Sequence, residues 1–224
     1  MFRGKKYQDA LKLVEKKAYP FDEAIALAKK TNVVKFDASI DLSLHLNVDA
    51  KQADQQIRGT MVLPHGNGKT KRVLVVTNTK TEDAKAAGAD FVGGKEALER
   101  IQKENWFAFD VIVATPEMMG ELGKMGKLLG PKGLMPNPKT GTVTMDVTKA
   151  INDIKAGKVE YRVDKESNMH VSFARVSFDD QKILENLTAL LEAITKARPA
   201  AIKGQLIKNA VIHTSMGPSI KIAV

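Results

Sequence analysis

The sequence predicts two domains of different fold class. A discontinuous α+β domain with an antiparallel sheet is expected from residues 1–68 and 157–224, and an inserted Rossmann-like parallel α/β domain from residues 69–156. Apolar and polar residues alternate without a fault over residues 36–48, which is typical of a strand with one buried and one wet face. The middle of the chain instead carries continuous apolar runs, which are typical of strands covered on both faces.

The strands of the discontinuous domain are predicted from period-two patterns. In residues 36–48 the apolar side chains, beginning with Phe36, are expected to share the buried face. Looser alternation predicts further strands at residues 57–63, 158–164, 169–178 and 206–213.

The inserted domain is predicted from a different pattern. Continuous apolar runs indicate buried strands at residues 73–76 and 111–114, and a third short strand is expected at 90–92. Helices are predicted between them, at residues 81–87 and 95–105. The order strand, helix, strand, helix, strand is the pattern of a small parallel α/β unit.

Two segments of chain would join these domains, and both contain glycine. Because glycine tolerates a wide range of φ, Gly66, Gly68 and Gly157 are the predicted hinge residues. A hinged protein is therefore expected, since interdomain contacts of ordinary size leave relative motion available.

Composition excludes several classes of protein. The chain has no cysteine, which rules out disulfides, thiolate metal sites and a cysteine nucleophile. It has no apolar run long enough to span a membrane and no apolar core of a signal peptide near its start, so a soluble, cytoplasmic protein is expected. The net charge of +9 favours a polyanionic partner. Acidic residues are missing from segments 55–81, 122–145 and 193–224, none of which resembles a membrane-binding amphipathic helix.

Residues 123–143 have the most unusual composition. This stretch holds five glycines, four lysines, three prolines and no acid. Glycine allows close backbone approach and lysine supplies positive charge, so the segment suits an anion such as phosphate. The alternative is a solvated loop. Its candidate cations, for weak contact with RNA or tRNA, are Lys124, Lys127, Lys132 and Lys139.

No catalytic or cofactor motif has the spacing that its chemistry requires. Residues 68–70 imitate the end of a P-loop, but the first glycine of that motif would fall at Leu63. Residues 130–133 resemble the GxxG loop of KH domains, yet Pro136 and Pro138 stand where the next helix should run. The four histidines are scattered and do not have the spacing of metal ligands on a helix or hairpin. We therefore predict no enzyme, no cofactor and no metal.

Recognition of a folded RNA by shape, phosphate and ribose is the function that remains. Aromatic residues make up only 5% of the chain, which argues against recognition by base stacking on a sheet. The turn at residues 213–219 leaves a strand and offers hydroxyls, Met216 and the close-approach Gly217; a plain β-turn is the alternative. Two other classes stay open: an enzyme with a nucleotide site on the inserted domain, and a general basic nucleic-acid-binding protein.

Short motifs in a fixed order run along nearly the whole chain. They include Lys35-Phe36-Asp37, Ile57-Arg58-Gly59-Thr60, the run LGPKGLMPNPKTGTV at residues 129–143, and Ser215-Met216-Gly217-Pro218. In these motifs the chain resembles the bacterial L1 family of ribosomal proteins. The resemblance implies two domains, the second inserted in the first. One departure is that Val163-Asp164-Lys165 is followed by Glu166-Ser167 where the family commonly has Asn-Asp-Lys and a turn glycine.

The resemblance also implies a function. Members of the family bind large-subunit ribosomal RNA, form the mobile stalk near the tRNA exit site, contact exit-site tRNA transiently and help it leave, and repress their own operon mRNA. We therefore expect a ribosomal protein that is monomeric when free. The predicted RNA-binding residues lie on the discontinuous domain. They are Phe36, Ser39, Asp41, Thr214, Ser215, Met216 and Gly217, with Arg58, Asp164, Lys165 and His170 as neighbours on other strands.

Overall fold

The computed structural model of the protein describes residues 4–200, 202 and 204–224. The contacts divide the chain into two compact units, Met1–Gly68 with Val159–Val224 and Lys69–Lys158. The predicted fold classes are confirmed: the first unit contains a four-stranded antiparallel sheet, and the second contains a three-stranded parallel sheet.

The described residues form helices and strands, and every strand except the last overlaps a segment that the two patterns predict. In chain order they are α1 (Lys5–Lys12), α2 (Phe21–Lys30), β1 (Ser39–Leu46), β2 (Arg58–Val62), β3 (Val73–Val76), α3 (Thr81–Ala86), β4 (Phe91–Gly93), α4 (Lys95–Glu104), β5 (Val111–Ala114), α5 (Met119–Lys124), α6 (Gly126–Leu129), α7 (Val147–Lys155), β6 (Lys158–Arg162), β7 (Asn168–Arg175), α8 (Asp180–Lys196), β8 (Ile207–Thr214) and β9 (Ile220–Lys221).

Strand β1 lies inside the sheet of the first unit, whose order is β7-β1-β8-β9. Its even-numbered residues are buried and its odd-numbered residues are half-buried, in strict alternation. The buried side chains of β1 belong to the same core cluster as buried residues of α2 and α8. This apolar core covers one face of the sheet, and the half-buried polar residues of β1 lie on the opposite face. A separate two-stranded sheet pairs β2 with β6.

The first strand is shorter than the sequence predicts, and Phe36 is a correction. The strand begins at Ser39, and the Phe36 side chain is 57% exposed, not buried. The last hydrogen bonds to the neighbouring strands are those from Val176 N–H to the Ala38 carbonyl and from Ser215 N–H to the Ser39 carbonyl. Sheet pairing stops here because both neighbouring chains then enter turns. Arg175 then holds the departing chain by donating to the Asp37 carbonyl at 2.7 Å.

Helix α8 is absent from the sequence prediction, although its apolar spacing is helical. It buries Ile183, Leu187, Leu190 and Ile194 on one face. The same face carries Asn186, which is fully buried. Its side chain accepts from His65 N–H at 3.1 Å and donates to the carbonyls of Gly66 at 2.9 Å and Phe173 at 3.0 Å. A single amide therefore ties the segment after β2 to the core.

In the second unit the parallel sheet has the order β4-β3-β5, with a separate core on each face. Val73 and Val75 pack in one cluster with residues of α3 and α7. Leu74 and Val76 pack in the other with residues of α4, α5 and α6. Strands covered on both faces explain the continuous apolar runs of the sequence. In the described part of the chain, every helix is too short or too polar to cross a bilayer.

Replacing Asn186 with alanine is expected to destabilise the first unit by about 3 kcal/mol, because three backbone groups lose their hydrogen bonds to this buried amide. Differential scanning calorimetry of Asn186→Ala measures the loss as a lower Tm. The matched control is Thr188→Ala, which removes only an exposed hydroxyl of the same helix. Equal Tm values for the two variants would show that the buried amide is not needed.

Candidate nucleic-acid interface

The beginning of β1 and the end of β8 meet at one edge of the four-stranded sheet. Ser215 N–H donates to the Ser39 carbonyl at 3.1 Å, and Ser39 N–H donates to Ser215 Oγ at 3.2 Å. Beyond this pair, Ile40 stands opposite Thr214 in the ladder. Segments 36–41 and 214–217, which contain predicted RNA-binding residues, therefore meet in one surface, which we call the junction.

Two large apolar side chains stand exposed at the junction. Phe36 is 57% exposed and Met216 is 62% exposed. Ser215, between Met216 and the sheet, is also exposed. An exposed aromatic ring and a flexible thioether beside hydroxyls form a surface suited to unstacked bases and ribose.

The turn that presents Met216 requires glycine at position 217. Gly217 N–H donates to the Thr214 carbonyl at 3.0 Å, which closes the turn. A Cβ at position 217 would lie 2.3 Å from Thr214 Oγ1 and 3.4 Å from the Thr31 carbonyl oxygen. Thr214 differs from the prediction, because its side chain is buried with 1% exposure and cannot reach a ligand. It shapes the turn instead.

Beyond the junction the polar face of the sheet carries two histidines joined through one serine. Ser43 Oγ lies 2.9 Å from His170 Nδ1 and 3.1 Å from His213 Nε2. The hydroxyl has one proton, so when it donates to one imidazole the other must donate to it. Asp41 stands opposite His213 in the ladder, in the same face. The Ser43 hydroxyl on β1 thus orients the imidazole rings of His170 on β7 and His213 on β8.

Sequence reasoning did not assign Ser43 to the interface, and it included His213 only as the first residue of the turn at 213–219. The alternation in β1 placed Ser43 on the wet face, but only the register between strands brings it to both histidines. His45 Nδ1 similarly lies 2.9 Å from Asn168 Oδ1. Among the residues that the structure describes, no group of three or more metal-ligating side chains is present.

Two predicted residues lie away from the junction. Arg58 belongs to the two-stranded sheet and donates to Glu160 at 2.9 Å, so its charge is already paired. Lys165 follows β6 in the turn before β7, whereas the junction adjoins the other end of β7, where Arg175 pairs with Ser39. The length of β7 therefore separates Lys165 from the junction by about 24 Å, at a rise of about 3.4 Å per residue.

The β6–β7 turn forms without the glycine expected there. Ser167 takes up the left-handed conformation, with φ of 64°. Its hydroxyl donates to the Val48 carbonyl at 2.7 Å, and Asp164 Oδ1 accepts from the N–H groups of Glu166 and Asn168 at 2.9 and 2.7 Å. These bonds hold the turn in place of a glycine.

In the second unit, residues 123–143 are partly helical and not one loop. Helices α5 and α6 bury Leu122 and Leu129. A Cβ added at Gly120, Gly123 or Gly126 would meet no atom within 4 Å. These glycines lower helix propensity without serving internal packing, and they leave the helix backbone open to close approach.

The four lysines of this stretch differ in their partners. Lys124 donates to Glu121 at 3.2 Å, and this hydrogen bond, with Lys95 nearby, lowers the pKa of the Glu121 carboxyl. Lys132 Nζ lies 4.0 Å from the centroid of the Phe107 ring. Lys127 and Lys139 have exposed side chains without an ion pair or hydrogen bond among the described residues. They are the cations most available to an anion.

The end of the same stretch is occupied with its own hydrogen bonds. Asn137 Oδ1 accepts from Lys139 N–H at 2.8 Å, and Asn137 N–H donates to Thr142 Oγ1 at 2.8 Å. Thr140 Oγ1 donates to the Asn137 carbonyl at 2.9 Å. Thr142 then continues beside β5, where its carbonyl accepts from Ala114 N–H at 2.9 Å. The polar side chains of residues 137–142 therefore serve to hold the loop in its conformation.

The predicted hinge glycines all have positive φ, of 65° at Gly66, 69° at Gly68 and 96° at Gly157. Gly66 is held by Asn186. A Cβ at Gly68 would lie 2.6 Å from Arg175 Cγ, so Gly68 is packed against β7. Residues 66 and 68 are therefore anchored to the first unit.

Comparison with known proteins identifies relatives over nearly the whole chain. The model of the Ribosomal protein L1p/L10e family matches residues 27–218. The protein named large ribosomal subunit protein uL1 from Mycoplasma capricolum subsp. capricolum is 58% identical over 220 residues, 98% of this chain and 97% of that protein. The protein of the same name from Mesoplasma florum is 57% identical over 222 residues, 99% of this chain and 98% of that protein.

A pair of glycine substitutions tests the packing at the turn. Gly217→Ala is expected to destabilise the first unit by about 1–3 kcal/mol, because the new methyl overlaps Thr214 and must displace the turn. Gly123→Ala, where the space is open, is expected to stabilise the second unit by about 0.5 kcal/mol through helix propensity. Calorimetric Tm values measure both. A Gly217→Ala variant as stable as the unmodified protein would contradict the close packing.

Proposed function

The chain belongs to the Ribosomal protein L1p/L10e family, and on that premise we propose that it is a component of the large ribosomal subunit that binds ribosomal RNA through the junction. Relatives named large ribosomal subunit protein uL1, at 57–58% identity over nearly the full length, support the subunit assignment. Such a family is structural and not enzymatic, and its members work on the cytoplasmic ribosome. The alternative of an enzyme on the inserted unit is therefore abandoned.

The observation that carries the RNA-binding proposal is the meeting of Ser39 and Ser215 at the sheet edge. It places Phe36 and Met216, both exposed, beside two serines and the close-approach Gly217. Bases splayed from a folded RNA can pack on the apolar groups while ribose and phosphate meet the hydroxyls. His170 and His213 extend this surface along the polar face.

Electrostatics support a polyanionic partner for the whole chain. The formal net charge is +9, from 35 Lys and Arg against 26 Asp and Glu. If roughly six to ten phosphates are neutralised, affinity falls by about 10³ to 10⁵ between low and moderate salt. The junction itself holds Asp37 and Asp41 and no lysine or arginine, so it is suited to positioning and specificity, and charged residues elsewhere supply the electrostatic part of the affinity.

We further propose that the second unit acts as the mobile part of the ribosomal stalk and assists release of exit-site tRNA. The bare glycine backbone of α5 and α6 and the unpaired Lys127 and Lys139 support weak, reversible contact with moving RNA. Gly66 and Gly68 are anchored in the first unit, and Gly157 is buried and donates its N–H to the Ile154 carbonyl at 3.2 Å. We therefore place the hinge in the chain just after residue 68 and just after residue 157.

The same junction is proposed to repress translation of the protein's own operon mRNA. A messenger that displays the ribosomal RNA fold would compete for one surface on a monomeric protein. In a competition assay, excess operon mRNA should displace labelled ribosomal RNA, whereas duplex DNA should not. Equal displacement by duplex DNA would support a general basic nucleic-acid-binding protein instead.

Filter binding to large-subunit ribosomal RNA tests the junction directly. Met216→Ala is expected to weaken binding by about tenfold at every salt concentration, because it removes apolar contact and no charge. Lys196→Gln, on the exposed side of α8, is the control that loses a charge outside the junction. Unchanged affinity of Met216→Ala would remove the turn from the site.

The lysines of the second unit are expected to act through charge alone. The double variant Lys127→Gln and Lys139→Gln should lower the slope of log affinity for tRNA against log salt by about 1–2. The matched single variant Lys124→Gln removes a lysine that Glu121 already neutralises, so its effect on the slope should be smaller. Identical slopes for all three proteins would show that this face does not contact tRNA.

A further inference from the structure

Met216 at the junction is one of two strongly exposed methionines. Of the eight methionines that the structure describes, Met216 is 62% exposed and Met145 is 55% exposed. Three of the others are buried and three are half-buried: Met118, Met125 and Met169, and then Met61, Met119 and Met135. A reagent in solution therefore reaches the sulfur atoms of Met216 and Met145 most readily.

The turn around Met216 is anchored on both sides, and its tip stays in solvent. Thr214 before the tip and Pro218 after it are buried, while Ser215 beside Met216 is exposed. Gly217 N–H donates to the Thr214 carbonyl at 3.0 Å. A Cβ at position 217 would lie 2.3 Å from Thr214 Oγ1, so there is no free space beneath the turn. The thioether of Met216 therefore cannot withdraw into the core and stays accessible whenever no RNA covers the junction.

The composition of the chain directs oxidation by a peroxide to methionine. The protein has no cysteine, so no thiol competes for the oxidant. Hydrogen peroxide transfers one oxygen atom to a thioether sulfur: the O–O bond breaks, an S–O bond forms, and the remainder of the peroxide leaves as water. The sulfur is oxidised by two electrons, which reduce the peroxide. The product is a sulfoxide, which is polar where the thioether is apolar.

We propose that Met216 is a redox modification site, and that its oxidation by a peroxide lowers the affinity of the free protein for RNA. The inference rests on the proposed function, because it requires that RNA packs on the junction. It adds a form of regulation to that surface, in which the oxidation state of one sulfur atom decides whether the surface is apolar or polar.

The sulfoxide oxygen would stand where an RNA base is proposed to pack on Met216. Oxidation removes the apolar contact, as Met216→Ala does, and in addition buries a polar oxygen. Burial of a polar atom that has no hydrogen-bond donor is unfavourable, so the affinity of the oxidised protein for RNA should fall by about tenfold or more. The loss should therefore be at least as large as the loss expected for Met216→Ala.

The modification is reversible in the free protein. A methionine sulfoxide reductase returns the sulfoxide to the thioether, with two electrons from the reductant of that enzyme and two protons, and the oxygen leaves as water. The exposed tip of the turn admits both the oxidant and the reductase. A bound RNA covers Met216, so protein that is already in the complex is protected, and only free protein responds to the oxidant.

The test uses the full-length protein and large-subunit ribosomal RNA transcribed in vitro. Hydrogen peroxide is added to the free protein, peptide mass spectrometry locates the added oxygen, and filter binding compares the affinity after treatment with the affinity before it. We expect Met216 and Met145 to be oxidised before the buried methionines, and the affinity to fall by about tenfold or more. Treatment with methionine sulfoxide reductases of both stereospecificities should restore the affinity.

Two matched variants assign the response to one sulfur atom. Met216→Leu keeps an apolar side chain of similar volume but has no sulfur. Each protein is compared with itself before treatment, so a change in its starting affinity cancels. Peroxide should leave the affinity of Met216→Leu unchanged, whereas Met145→Leu, which alters the exposed methionine of the second unit, should lose affinity as the unmodified protein does. Prior addition of RNA should protect Met216 from oxidation but not Met145.

The outcomes separate this inference from the proposed function. Failure of the untreated protein to bind the RNA overturns the proposed function. Normal binding before treatment, followed by oxidation of Met216 without loss of affinity, overturns only the redox site. An equal loss of affinity in Met216→Leu would place the response at another residue and would also overturn the redox site, as would a loss that the reductases do not reverse.

Discussion

The pairing of β1 with both β7 and β8 is the constraint on which the rest of this structure depends. Ser39 and Ser215, which are 176 positions apart, exchange hydrogen bonds at the edge of that ladder. The entropy of closing a long loop grows only with the logarithm of its length, so a whole folded unit can be carried between these strands at small extra cost. The central strand thus makes one unit from two distant pieces of chain.

One face of β1 packs in the core, and the other face carries the polar residues of the candidate interface. Leu42 and Leu44 point into the core beneath α2 and α8, while Ser43 between them connects His170 to His213 on the polar face. A shift of register by one residue would exchange these faces and place the serine in the core. The apolar packing that stabilises the sheet therefore also holds the candidate interface in position.

Much of the fold follows from local pattern, and much of the site does not. Period two in β1 and continuous apolar runs in β3 and β5 distinguish a one-sided from a two-sided sheet, and the structure has both. Alternation reports which residues share a side but not where the pairing stops, so it placed Phe36 in the core when it lies beyond the strand. Helix α8 carries an apolar stripe at helical spacing, which the sequence prediction does not include.

Site residues depend on contacts that no local pattern records. Ser43 and His213 become neighbours only through strand register, and Thr214 is buried although the residues after it are exposed. The hinge glycines were identified by residue type, yet Asn186, over a hundred residues away, anchors Gly66. Tertiary partners decide in each case whether a residue is available.

The charged residues show most clearly that tertiary partners decide which residues are available. An excess of nine positive charges predicts a polyanionic partner but not where it binds, because exposed ion pairs neutralise many of the same residues. Lys124 and Arg58 have carboxylate partners, whereas Lys127 and Arg162 do not. Since a paired cation must give up its partner before it can hold a phosphate, the unpaired ones bind at lower cost. The distribution of unpaired cations, and not their total number, therefore marks the surfaces where RNA is expected.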